Sequence, residues 1–208
     1  VNTAAGDITI IYQRRDFSYY IRAADGNEYE LDDGTSLADI AVSIDGNMLA
    51  FSKRNTNTIL TVDVDLVDPI THTIVIPSTA QDKAFPVTYI DKVRFDPTGR
   101  YLVFDFFLCQ TGSSDCSSST EGYWSIGILD IVSGQVDFPF PSQPARFDVG
   151  FPAFSNLTDR YIVLDVLEYI GEVLDTCVNN HSCPEAKNNS AIVIYDRQNN
   201  SLTWIADP

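Results

Sequence analysis

The chain is poor in basic residues and histidine and has no long apolar run. Thirteen Lys and Arg stand against 29 Asp and Glu, a formal net charge of -16. A surface that negative repels phosphate backbones, which excludes nucleic acid as an expected partner and leaves cations, basic proteins or plain solubility as its uses. No apolar run approaches the roughly 20 residues of a membrane-spanning helix, so no membrane-spanning segment is expected. The two histidines are His72 and His181. A Ser–His–acid triad needs an imidazole beside its nucleophile, and the Gly-x-Ser-x-Gly elbow that often carries one is missing. Glycine-rich phosphate loops, Cys-x-x-Cys-His and His-Glu-x-x-His are missing too, as is the twelve-residue EF-hand loop. His72 falls on the polar face of an expected outer strand and His181 inside a cysteine loop, so both read as surface side chains. No catalytic residue is assigned, and the chain is expected not to be an enzyme. Glycoside chemistry by a carboxylate pair stays open by residue type, but nothing selects a pair.

What is present is a core. Hydrophobic residues make up 44% of the chain and aromatics 12%, enough to bury a real interior rather than form an acidic tail. Four cysteines fall in two close pairs, Cys109 with Cys116 and Cys177 with Cys183, each inside a polar Ser- or Asn-rich insertion. The pattern reads as two local disulfides stapling protruding loops in an oxidising compartment. A zinc site is the competing reading, and the spacings are long for it. Four Asn-x-Ser/Thr sequons, at Asn156, Asn180, Asn188 and Asn199, lie in turn-like segments. Together these features place the protein outside the cell, on the cell surface or in the periplasm. The chain starts at Val1 without an initiator Met or signal peptide, which suits either a removed leader or a piece of something longer.

A repeat runs through the sequence. Ile40–Phe51, Val93–Phe104 and Phe151–Leu164 each hold a short apolar strand, a polar turn and a second apolar strand. The turns are read at Asp45-Gly46, Pro97-Thr-Gly99 and Thr158-Asp159. Downstream, Ile59–Asp65, Ser125–Asp130 and Ala191–Asp196 are apolar strands ending in aspartate, each followed by a turn and an outer strand. Asp63, Asp65, Asp130 and Asp196 are read as caps of those turns. Four hairpin-linked strands per unit is the pattern of a propeller blade, and its threefold recurrence outweighs a β-sandwich. The fold expected is all-β, a β-propeller of about four blades of antiparallel four-stranded sheets, at approximately 1–36, 37–86, 87–145 and 146–208. The first blade lacks its inner strand, so the chain reads either as part of a larger propeller or as a subunit completed by strand donation from a neighbour.

Phe95-Asp-Pro-Thr-Gly-Arg-Tyr-Leu-Val-Phe104 resembles the WD40-like repeats of the TolB family, with Val42–Phe51 and Phe154–Val163 as looser matches that lack the proline and the glycine respectively. The blade spacing exceeds the roughly 40–45 residues of the WD40 type, and the cysteine insertions account for part of the excess. The resemblance implies architecture more than activity. The functional expectation is a non-enzymatic binding or scaffolding module for protein or glycan, with homo-oligomer or filament assembly and an accessory propeller of a hydrolase as alternatives. Tyr123 and Trp124, beside the first cysteine insertion, are the binding candidates. Asp39, Asp91 and Asp148, at or near the start of inner strands, are candidate ligands for calcium, the cofactor otherwise being none.

Overall fold

The computed structural model describes residues 8–15, 19–23, 28–32, 37–53, 58–63, 70–75, 87–109, 122–140, 147–169 and 188–205. Every regular element among them is a β-strand, and the strands form four antiparallel sheets in which sequence neighbours pair. The first sheet has three strands, β1 (Ile8–Gln13), β2 (Tyr19–Ala23) and β3 (Glu28–Asp32). The second has β4 (Leu37–Val42), β5 (Met48–Lys53), β6 (Thr58–Asp63) and β7 (Ile70–Val75). The third has β8 (Val87–Phe95), β9 (Tyr101–Cys109), β10 (Gly122–Asp130) and the short β11 (Val136–Asp137). The fourth has β12 (Phe147–Ser155), β13 (Thr158–Tyr169), β14 (Asn188–Asp196) and β15 (Ser201–Trp204). Successive four-stranded up-and-down sheets stacked face to face make a β-propeller, with β4, β8 and β12 innermost.

The stacking explains why β9 reads as a nearly continuous apolar run. A strand covered on both faces has no polar side to alternate with. Leu102, Phe104 and Phe106 point back at Ala41, Ala50 and Ile59 of the second sheet, forming one buried cluster with Leu129 and Phe138. Val103 of β9, with Ile126 and Ile128 of β10, points forward into a second cluster with Val149, Ile162, Leu164, Val166 and Val193 of the fourth sheet. Each fully buried Phe or Leu here contributes roughly 1.5–3 kcal/mol of transfer free energy. Gly127 makes room for the Phe104 ring, because a Cβ there would sit 2.3 Å from its Cζ.

The hairpin turns follow local chemistry. In the third sheet Asp96 accepts the amide of Tyr101 on one oxygen (2.6 Å) and that of Thr98 on the other (3.0 Å), while Gly99 takes φ 72°. The second sheet repeats this with Ser43, whose Oγ accepts the Met48 amide (2.9 Å) and donates to Asp45 (2.6 Å). That hydrogen bond, with the Asn47 amide, holds the Asp45 carboxyl below its ordinary value. The fourth sheet departs from the expected turn at Thr158-Asp159. The chain reverses at Asn156-Leu157, with Ser155 paired to Thr158, and the register slips before Phe154 meets Ile162. Ser155 and Thr158 close a two-residue turn where the sister blades use a longer glycine-bearing one, and the surplus residues Asp159 to Tyr161 bulge out.

Candidate functional site

Two regions gather polar side chains: the outer corners of the blades and the inner strands. At the corners, Asp130 ends β10 and accepts the amides of Val132 (3.0 Å) and Ser133 (3.2 Å), as an aspartate capping a turn should. Its other oxygen receives Arg100 through Nε (3.1 Å) and Nη2 (2.7 Å). Asp196 at the end of β14 accepts the amides of Gln198 and Asn199 and Arg160 Nε (2.8 Å) on one oxygen, and Arg160 Nη2 (2.6 Å) on the other. Arg160 holds the Asp196 carboxyl down at about 2, and Arg100 lowers Asp130 likewise. In the register, Asp63 faces Met48 as Asp130 faces Tyr101 and Asp196 faces Tyr161. The arginine position of the second blade is Asn47, so the clamp belongs to the third and fourth blades. The turn-capping aspartates were legible in the sequence. Their arginines were not singled out, although an Arg one residue after the Gly99 turn was the available signal.

The inner strands are irregular where blades meet. Pairing slips between Leu37 and Asp39, between Ile90 and Val93, and between Gly150 and Ala153. A bulge leaves backbone groups unpaired, and buried backbone groups need partners. The preceding blade supplies them. Asp39 accepts the Val93 amide (3.1 Å) and the Arg94 guanidinium. Ser52 Oγ donates to the Asp91 carbonyl (2.7 Å). Asp105, buried in β9, spans two bulges: Oδ1 accepts the Lys92 amide (2.6 Å) in its own blade and Oδ2 the Phe151 amide (3.0 Å) in the next. Burial raises the Asp105 carboxyl to about 6, against the pull of those two amides, with Asp91 pushing the same way and Lys92 opposing. Phe151 sits at φ 48° with its ring exposed, and Lys92 Nζ lies 6.0 Å from that ring and 3.4 Å from Asp91. Phe151 was missed in the sequence; the Gly150-Phe-Pro152 step inside an apolar strand is the signal that marks it.

Of the candidate calcium ligands, Asp39 is occupied by Arg94 and Asp91 by Lys92, and Asp148 lies on β12 with its side chain outside the described residues. Among the described residues no three His, Cys, Asp or Glu side chains group to hold a metal. Trp124 is half-buried, edge-to-face on Phe107 at 5.4 Å, and Tyr123 precedes it on β10. Cys109 ends β9 opposite Gly122; Cys116, Cys177 and Cys183 lie outside the described residues. So do His181, Asn180 and Asp65, while His72 and Asn188 lie on β7 and β14 with their side chains outside them. Asn156 is exposed in its turn, and Asn199 donates Nδ2 to Asp196 at 2.8 Å. Both cysteine insertions, 110–121 and 170–187, connect a second strand to a third. In an up-and-down sheet the strand ends that bound them, the last residues of β9 and β13 and the first of β10 and β14, lie opposite the Arg–Asp corners, at one end of neighbouring blades.

No protein-family model matches the chain, and no curated protein matches it. Solved structures do. An oligogalacturonate lyase in complex with manganese aligns with a TM-score of 0.57 at 10% identity, over 92% of this chain and 46% of that one. TolB from Acinetobacter baumannii aligns with a TM-score of 0.51 at 14% identity, over 91% and 38%. The β-propeller domain of the Trilobed protease from Pyrococcus furiosus, described as having an open velcro topology, gives 0.50 at 12%, over 95% and 52%. Likeness at these identities establishes the fold and leaves activity open. No helix among the described residues is long and apolar enough to cross a membrane. The chain is an all-β propeller that spans about half, or less, of the length of the solved propeller proteins it resembles.

Proposed function

We propose that this is a non-enzymatic binding or scaffolding propeller of the cell exterior, recognising a basic protein or a glycan at the blade end that carries the two cysteine insertions. The observation that carries the reading is that the strand ends bounding insertions 110–121 and 170–187 lie at the same end of neighbouring blades, with Tyr123 and Trp124 at the start of β10. Long loops on a rigid scaffold are where recognition concentrates. Five of the described acids have structural work: Asp96, Asp130 and Asp196 close turns, and Asp39 and Asp105 tie blades. The net charge of -16 favours a basic partner.

The test replaces each insertion by a short Gly-Ser turn and compares binding to arrays of lysine-rich peptides and soluble glycans. The reading expects an array hit that disappears in the loop-replaced protein while cooperative unfolding is kept. Equal binding by both proteins, or turnover of peptide or glycan by the unmodified chain, overturns it. An accessory propeller of a larger hydrolase is the second reading, supported by the likeness to a protease propeller. Assembly by strand donation is a third, motivated by the first sheet, which has three described strands where the others have four.

A further inference from the structure

The register makes the three complete blades comparable position by position. Ile59 faces Ser52 in the second blade, Ile126 faces Asp105 in the third, and Ile192 faces Asp165 in the fourth. One pair further along, Ala50 faces Thr61, Val103 faces Ile128, and Val163 faces Ile194. In the second and third blades these side chains point toward the following blade, and in the fourth they stand on the corresponding face. In the second and third blades they are covered: Ile59 and Ile126 are 0% exposed, as are Ala50 and Val103. In the fourth the same positions lie open, with Ile192 at 49% and Val163 at 36%. Asp165, exposed, takes the place of Asp105, which reaches across to the next blade's bulge.

A strand with one wet face alternates apolar and polar residues. β14 does not: Ala191, Val193 and Tyr195 are buried on one face, and Ile192 and Ile194 stand on the other. The fourth blade thus carries, on an open face, the residue types that its siblings use to pack against a neighbour. We propose that the face of β12–β15 bearing Val163, Ile192 and Ile194 is an inter-blade interface, and that its occupant is a further four-stranded propeller blade of the same ring. The occupant's chemistry follows from the two interfaces already present. Its second strand brings large apolar side chains, as β9 brings Leu102, Phe104 and Phe106.

The experiment uses the protein expressed from its natural gene and follows thermal unfolding of Ile192→Asp and of the milder Ile192→Ala. With a blade covering the face, a buried carboxylate or a lost side chain has a large cost, and the midpoint falls by about 5 °C or more for Asp and by a few degrees for Ala. If Ile192→Asp does not fold, the Ala variant still reads the interface. Midpoints within about 1 °C of the parent for both variants overturn the proposal, because exposed substitutions are close to neutral. Two further results also overturn it by naming a different occupant. One is a parent dimer that Ile192→Asp turns into a monomer in sedimentation velocity. The other is loss of the Ile192→Asp effect when residues 170–187 are replaced by a Gly-Ser turn.

Discussion

Asp105 makes the two-blade contact depend on pH, in the direction opposite to most acids. Its carboxyl lies at about 6 in the folded chain against 3.8 for the free group, mainly because burial in β9 disfavours the charge. Between those two values the folded protein holds a proton that the unfolded chain has released. Stability therefore falls as pH rises through this window and levels off above about 6. At roughly 1.4 kcal/mol for each pH unit of the window, the loss amounts to about 3 kcal/mol. Asp105→Asn removes the titration but keeps the shape. The amide also costs something, since its single carbonyl cannot accept both Lys92 and Phe151 amides, so the absolute stability of the variant is a mixture of two effects. The difference between parent and variant isolates the proton. Urea unfolding at half-unit steps from pH 4 to 7.5 should show the parent losing about 3 kcal/mol relative to Asp105→Asn across the window, and no further change above it. Parallel curves would refute the reasoning. They would mean that the two amides, at 2.6 and 3.0 Å, outweigh burial and keep the carboxylate charged throughout.

Asp196 titrates with the opposite sign: its value of about 2, held there first by Arg160, gives a contribution present above pH 4 and lost as pH falls toward 2. Asp196→Asn and Arg160→Gln should each lower the unfolding midpoint at pH 7, and the deficit of Asp196→Asn should shrink as the scan is moved from pH 4 to pH 2. Gly127→Ala forces the Phe104 ring aside and should cost about 1–3 kcal/mol by overpacking, measurable as a lower urea midpoint at unchanged slope. Gly134→Ala, whose Cβ meets nothing within 4 Å, isolates the smaller cost of φ 72°. In a secretory host, peptide mapping should find a glycan on exposed Asn156 and much less on Asn199, whose Nδ2 is engaged by Asp196.

The hairpins were legible because their chemistry is local. Gly46 and Gly99 mark positive-φ corners, and Asp130 caps a turn made of the residues that follow it. The third corner misled because the repeat suggested a turn of equal length, while Ser155 and Thr158 closed a shorter one. The ties between blades were illegible for a different reason. Val93 meets Asp39 across 54 positions and Phe151 meets Asp105 across 46, and both contacts depend on bulges that leave no periodic trace. Asp39 and Asp91 are candidate calcium ligands from their place on inner strands. Which cation would face them depended on Lys92 and Arg94, adjacent in sequence but brought to bear by the bulge between Ile90 and Val93.

The same geometry bears on what a partner would meet. In the second to fourth blades, Arg94, Arg100, Arg160 and Arg197 each lie against an aspartate of the fold, at the Asp39, Asp130, Asp196 and Asp159 carboxylates. These cations are engaged in pairs, Arg160 bidentate on both oxygens of Asp196 and Arg100 through two nitrogens on one oxygen of Asp130, which offsets much of the field each projects. The net charge of -16 is then carried outward by acids outside these pairs. Insertion 110–121 adds Asp115 and Glu121 with no basic residue, and insertion 170–187 sets Glu172, Asp175 and Glu185 against a single Lys187. The blade end expected to bind is thus more acidic than the corners, where arginine is plentiful. That asymmetry follows from which acids the turns require, and under the reading proposed above it would steer a cationic partner toward the insertion end.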